Sequence, residues 1–518
     1  MRPPLEDFGS TPCQIGHTGI MAATVEDVLN IVFISLSVSG QLNIHLATIE
    51  HMLKLGPSDC PPLRIHLVSF DPAEKRAHAI AENASASRHS VIFHGLGELT
   101  LFSETSANGM IDRHGPARLL RGGGLKPYRY LAELFGYNPD HYIRAYERIV
   151  TILAVIKPKV DVVAVDTTMP MAMDACDTAG VKWGVLCPNS GLELFKHSQP
   201  HLEGLWKHPA PYSGLPFPVP VRLIPYNIAL NISLVRILFT HPKVRALESR
   251  RVKAGIRGRI FDRHFEDLPF FICSSVMDME FPHIPPPNVV FPGPILVPIP
   301  PLAADAYPDL AAFLDRKRTI VINLGSNFWY SQEDAAHMAE AIADAQERSE
   351  EKGGFQVLWK LNGKKSFQDL LGEKFGKEHD AVRIEEWIEP PTLALLQHPN
   401  VAAFVNHGGA NSVHEAAFAG VPQILLPQWL DLYEYAVRTE WLGHGIYANK
   451  GAPAQIDPFQ LSDAFIRVLS DGPGEEGTLM KAKAVELSKA CKRGGGVETV
   501  ARTLLKAAGI AQAGKSQQ

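Results

Sequence analysis

Nine of the twenty residues at 282–301 are proline (PHIPPPNVVFPGPILVPIPP). No helix interior or central strand tolerates that density, because each proline removes a backbone donor and its ring clashes with the preceding turn. The stretch therefore reads as a stiff linker dividing the 518-residue chain. The same pattern occurs on both sides of it. Before it, short apolar runs rich in β-branched residues at 30–37, 64–70, 160–165 and 182–187 alternate with helical periodicity at 42–55, 141–156 and 171–179. After it, runs at 319–324, 355–360, 381–386, 401–406 and 423–426 alternate with helical patterns at 333–349, 411–419, 433–442 and 458–469. Runs of this kind suit strands buried on both faces, and their alternation with helices indicates βαβ units and parallel sheets. The expected fold class is α/β, with two similar halves facing a cleft, since open parallel sheets bind ligands beyond the carboxyl ends of their strands. Helical segments at 479–491 and 497–508 precede a polar tail.

Composition narrows the class. The formal charge is −5, with 46% hydrophobic and 20% charged residues, which suits a folded chain of two or three domains and argues against nucleic acid as the main partner. The six cysteines include no CxxC pair, so a zinc ribbon or disulfide framework is not expected and a reducing compartment fits better. Residues 1–20 carry Pro, Asp, Glu and Gly where a signal peptide needs an apolar core. The apolar run at 31–38 is too short to span a bilayer. Segment 226–239 is apolar but interrupted by Asn227, Asn231 and Arg236, so it reads as a buried or peripheral helix with no transmembrane role. The expected location is cytoplasmic.

The chemistry is concentrated in residues 387–431, WIEPPTLALLQHPNVAAFVNHGGANSVHEAAFAGVPQILLPQWLD. The strand at 401–406 runs into His407-Gly408-Gly409, a turn whose glycines let backbone approach a ligand closely. A helix then opens at Asn411-Ser412, where free N–H groups and the positive end of the helix dipole favour an anion. His407, Asn411 and Ser412 can hold phosphate oxygens. Glu415, one turn on, can accept hydrogen bonds from vicinal hydroxyls such as those of a ribose, and Asp431 can do so for a second sugar. Each part also has a ligand-free reading. Ser412-Val413-His414-Glu415 is a capping box, and Gly408-Gly409 can be a plain turn. The strand–turn–helix context favours the ligand.

This stretch resembles the sugar-nucleotide signature of the family 1 UDP-glycosyltransferases, which share the GT-B fold of two Rossmann-like α/β domains facing a cleft. The match rests on Trp387, His398-Pro399, Phe404, His407-Gly408-Gly409, Asn411-Ser412, Glu415, Gly420-Val421-Pro422, Pro427 and Asp431. More weakly, it includes Gly325-Ser326 and residues 291–294. Gly40-Gln41-Leu42-Asn43, Ser213-Gly214-Leu215-Pro216 and Asp431-Leu432-Tyr433 are similar to the filamentous-fungal branch. The resemblance implies that Trp387 stacks on uracil and Glu415 binds the ribose. It implies further that Ser326, His407, Gly409, Asn411 and Ser412 form the diphosphate site, and that Asp431 bonds the transferred sugar. It also implies an N-terminal extension at 1–28, an acceptor-binding domain at 29–281, the linker at 282–301 and a UDP-sugar-binding domain at 302–490. Residues 491–518 would hold a helix returning to the first domain, then the tail. No metal and no cofactor beyond the UDP-sugar donor is implied.

Three departures matter. Where many members have a histidine general base after the first βα glycine, this chain has Gln41, and an amide takes no proton at neutral pH. His45, one turn on, either replaces that base or is a partly buried helix residue. The family's partner aspartate maps onto Asp166. It would pair with His45, act alone on an acidic hydroxyl such as a phenol, or cap the turn at Thr167-Thr168. Leu432 replaces a glutamine that contacts the sugar in many plant members, and the spacing from Trp387 to His398 is two residues longer than usual.

Other classes fit less well. No GxSxG elbow accompanies the His-Gly-Gly turn, so a serine hydrolase is not indicated. The first βα turn lacks GxGxxG, and His414-Glu415 has no second histidine for a zinc site. The Arg121–Gly124 glycine run follows no strand and reads as a loop. The expected activity is an inverting transfer of a hexose, with glucose as the default, from a UDP-sugar to a hydroxyl of a lipophilic small molecule, a fungal secondary metabolite being favoured. The alternatives are a sterol or lipid acceptor, or an accessory protein that binds the nucleotide sugar without turning it over. The aromatic and proline-rich segment at 195–226 is the expected apolar acceptor wall.

Overall fold

Apolar β-branched runs too short to be helices form two parallel sheets. The computed structural model describes residues 28–83, 87–98, 113–119, 124–349, 354–376 and 380–510. The expected N-terminal extension, apart from its last residue, lies outside them, as do the polar tail and most of the Arg121–Gly124 loop.

The first sheet contains β1 (Leu29–Ile34), β2 (Leu63–Ser69), β3 (Ser90–Gly95), β4 (Val162–Val165), β5 (Trp183–Cys187), β6 (Phe271–Cys273) and β7 (Val289–Val290), in the order β3-β2-β1-β4-β5-β6-β7. The second contains β8 (Thr319–Ile322), β9 (Gln356–Lys360), β10 (Val382–Glu385), β11 (Val401–Asn406), β12 (Gln423–Leu425) and β13 (Gly445–Tyr447), in the order β10-β9-β8-β11-β12-β13. Every pairing is parallel. Strands β1, β4, β5, β8 and β9 are buried along their whole length, as helices on both faces require.

Four strands have no counterpart in the sequence expectations. β3 is a half-exposed edge strand, and β6, β7 and β13 have only two or three residues, too few for a period to show. β7 falls inside the proline-rich stretch. It lies at the sheet edge, where prolines on either side disrupt no ladder.

In each sheet the strand order reverses once, between β1 and β4 and between β8 and β11. These reversals are the switch points where open α/β sheets leave a crevice. The halves are packed together: Tyr128, Leu230 and Leu234 of the first share an apolar cluster with Leu324, Phe328 and Trp429 of the second. Arg113 forms paired hydrogen bonds to Asp334 (2.5 and 3.0 Å), and Tyr433 Oη donates to the His114 carbonyl (2.7 Å). The helix Val497–Ala507 packs Val500, Ala501 and Leu504 into the core of the first sheet beside Leu42 and Leu46.

Candidate functional site

Five adjacent strands of the second sheet deliver one residue or turn each to its carboxyl edge. Trp387 follows β10, Lys360 ends β9, Gly325-Ser326 follows β8, His407-Gly408-Gly409 follows β11 and Asp431 lies beyond β12. Neighbouring strands are about 4.8 Å apart, so the strand order sets these groups in a row.

Two turns at the switch point have the same construction. Gly325 N–H donates to Asn323 Oδ1 (3.0 Å) and Gly408 N–H to Asn406 Oδ1 (2.8 Å). Both glycines have φ near +90°, a conformation that costs a side-chain-bearing residue heavily. The His407 ring lies between the turns: a Cβ on Gly325 would come 2.8 Å from its Cε1, and a Cβ on Gly409 2.6 Å from its Nε2. Burial, then the nearby Lys360 charge, pushes the His407 pKa down to about 4, so the ring is neutral. Its Nδ1 is buried with no hydrogen-bond partner.

The helix Ala410–Ala419 starts from Gly409 as its N-cap, without a side-chain cap. Its first internal hydrogen bond runs from Val413 N–H to the Gly409 carbonyl (3.0 Å), leaving the N–H groups of Ala410, Asn411 and Ser412 without intrahelical acceptors. The capping box open to Ser412 and Glu415 does not form. Glu415 is half-buried, and burial lifts its pKa to about 7. Asp431 is lifted to about 6 for the same reason. Ser326 and Trp387 are exposed, Trp387 by 61%.

Lys360 was not anticipated from sequence. Its ammonium is 3.9 Å from the Trp387 ring centroid and donates to the Gly325 carbonyl (3.2 Å). The residue is 5% exposed, and among the described residues no carboxylate pairs with it. Burial lowers its pKa to about 8. Glu434, also missed, accepts from Tyr212 N–H (2.9 Å). Burial and then Glu193 raise it to about 8.

In the first half, Gln41 is half-buried near the start of the helix Ser39–Met52. His45 does not pair with Asp166. Its ring packs edge-on against Phe33 (6.0 Å), both nitrogens are buried without partners, and burial drives its pKa to about 3. The Asp166 carboxylate instead accepts from Thr168 N–H and Oγ1 (both 2.8 Å), Ser35 Oγ (3.2 Å) and Leu36 N–H (3.4 Å). It thereby joins the turns that follow β1 and β4. Burial outweighs these donors and lifts its pKa to about 6.

A family model described as UDP-glucoronosyl and UDP-glucosyl transferase matches residues 258–474. The glycosyltransferase sdnJ of Sordaria araneosa is 31% identical over 506 residues, covering 90% of this chain and 95% of that protein. The chain belongs to the family 1 UDP-glycosyltransferases. The 2-hydroxyacylsphingosine 1-beta-galactosyltransferase of Rattus norvegicus is 30% identical over 206 residues, only 39% of this transferase and 33% of that protein. Among solved structures, a UDP-glucosyltransferase from Polygonum tinctorium superposes with a TM-score of 0.61 at 18% identity, covering 93% of this chain and 99% of that one. The transferase therefore has the GT-B fold and, as a member of this family, uses a UDP-sugar donor.

Proposed function

We infer that the transferase moves a hexose, glucose in the first instance, from a UDP-sugar to a hydroxyl of a lipophilic small molecule. A fungal secondary metabolite is the favoured acceptor class. The row of groups from Trp387 to Asp431 carries this reading. Its order suits a nucleotide sugar laid along the sheet edge, with uracil on Trp387, diphosphate over Ser326, His407, Gly409, Asn411 and Ser412, and the sugar at Asp431; the family resemblance adds Glu415, in the helix that follows β11, as the ribose ligand.

In the transfer, the acceptor oxygen attacks the anomeric carbon as the bond to the diphosphate oxygen breaks, inverting an α-linked donor to a β-glycoside. The transition state is oxocarbenium-like. The leaving diphosphate is stabilised by the free N–H groups at Ala410–Ser412 and by the helix dipole, donors already aimed where charge develops.

With Gln41 in the base position and His45 in the core, an acidic hydroxyl such as a phenol, with a pKa of about 10, is the favoured acceptor. Asp166 is the carboxylate that would take its proton; it is fully buried, and doing so requires giving up one of its four hydrogen bonds. UDP release from UDP-glucose against a panel of phenols, alcohols and sterols, beside calorimetric binding of UDP, tests this. Acceptor-dependent release that is fastest with phenols is the expected result. Failure to bind UDP would overturn the donor site, and a preference for aliphatic alcohols would overturn the acceptor class.

A further inference from the structure

The helix Ile224–Thr240 has two apolar stripes where a surface helix ordinarily has one. The first is accounted for. Asn227, Leu230 and Leu234 are buried. The Asn227 amide accepts from Ala210 N–H (2.6 Å) and donates to the carbonyls of Leu205 and His208 (both 2.8 Å). The second stripe, Ile232, Val235 and Phe239, lies about 140° round the helix and is 61%, 54% and 38% exposed. Val221, just before the helix, is 83% exposed.

By length and composition, residues Val221–Thr240 could cross a membrane. The three hydrogen bonds of Asn227 and the buried leucines instead hold the helix flat against the fold. The sequence around it is basic. Residues 221–259 contain nine Lys or Arg against the single carboxylate of Glu248, in a chain whose formal charge is −5. Arg222, Arg236, Lys243, Arg245, Lys253 and Arg257 are exposed, and among the described residues none is paired with a carboxylate.

We propose that this face is a docking surface for an anionic phospholipid membrane. The Ile232–Val235–Phe239 stripe would sit in the interfacial layer, with the basic rim on the headgroups. An apolar face with cationic flanks is what binds in the plane of an anionic bilayer. A second copy of the chain matches less well, because two such faces would oppose their basic rims.

Vesicle flotation of the full chain tests this, using phosphatidylcholine alone or with about 30% phosphatidylserine, at about 0.05 and 0.5 M salt. The wild type is expected to partition onto the serine-containing vesicles, less so at high salt. Ile232→Ser, Val235→Ser and Phe239→Ser combined should lower that partition at least about tenfold while leaving calorimetric UDP affinity unchanged. Lys243→Glu with Arg245→Glu should abolish the preference for phosphatidylserine. The proposal is overturned if the wild type floats with neither vesicle, if the triple variant floats equally well, or if the wild type is a dimer that the triple variant dissociates.

Discussion

A Cβ atom on Gly325 would stand 2.8 Å from Cε1 of His407, so the turns that close β8 and β11 can approach only because one of them has no side chain. Gly325→Ala adds that clash to a φ of +89° and must displace the ring or the turn. The expected outcome is a UDP-sugar affinity at least about tenfold weaker, or about 1.4 kcal/mol, with the protein still folded. Calorimetry beside circular dichroism checks this, and unchanged affinity would remove the turn from the donor site.

Lys360 is an almost buried ammonium with a carbonyl and an aromatic face as partners but, among the described residues, no anion. A buried charge is costly unless paired, and a diphosphate beside Gly325 would supply the partner. Lys360→Met should raise the KM for UDP-sugar about tenfold, in the range of a charged hydrogen bond, and should weaken UDP more than uridine. Equal weakening of both would mean that Lys360 acts only through Trp387. Its pKa of about 8 sets the sign of the pH effect. Above that pH the free protein holds a neutral amine, so donor affinity falls as pH rises through 8 and binding takes up a proton, measurable by calorimetry in buffers of different ionisation heat.

The positions of His407 and Glu415 were legible because one strand–turn–helix unit sets their spacing, and that of Trp387 because the segment that carries the family resemblance opens on it. Lys360 was not, because nothing marks a single lysine at the end of an apolar strand. Only the order β10-β9-β8-β11 brings it between Trp387 and Gly325. The burial of His45 was not legible for a different reason. Spacing placed it on the same face as Gln41, but the helix Ser39–Met52 lies between the first sheet and the helix Val497–Ala507. It is therefore buried nearly all round, and its period identifies no cleft-facing side.

Glu415 has to be ionised to accept hydrogen bonds from two ribose hydroxyls. Burial lifts its pKa to about 7, so donor affinity should fall as pH drops through 7. With Lys360, that leaves tightest binding between about 7 and 8. Glu415→Gln should remove the acidic limb of that profile and reduce discrimination between UDP and 2′-deoxy-UDP by about tenfold or more. A deoxy analogue that binds the wild type as well as UDP would place the ribose elsewhere.

His45→Leu separates the two readings of that histidine. As a core residue with two unpartnered nitrogens, its replacement by an apolar side chain should hold or raise the Tm and leave kcat within about twofold. A fall of about a hundredfold would identify it as the base. Its folded pKa of about 3 lies below the unfolded value of about 6.5. The stability from burying the neutral ring is therefore complete above about pH 6.5 and lost as pH falls below it. The variant should flatten that acid slope without abolishing it, because His66, His208, His414 and His444 are also held near 4.

The helix Leu432–Leu442 that begins beside Asp431 is tied to the first half by Arg438, which hydrogen-bonds Glu280 in a buried pair. Burial alone would raise the Glu280 pKa. The Arg438 guanidinium and the hydroxyls of Ser190 and Ser275 (2.6 and 2.5 Å) more than offset it, holding the carboxylate below its usual range. Arg438→Met leaves that carboxylate buried and unpaired, and should cost about 3–5 kcal/mol. Arg438→Met with Glu280→Met should cost less than Arg438→Met alone, because no lone charge is left behind. Because the folded pKa is depressed, the pair's contribution is present above about pH 4.3 and lost as pH falls below it. Denaturant unfolding of the two variants and the wild type at pH 7 and pH 4 checks both points. A double variant as unstable as Arg438→Met would show that the pair is holding the halves together by more than charge compensation.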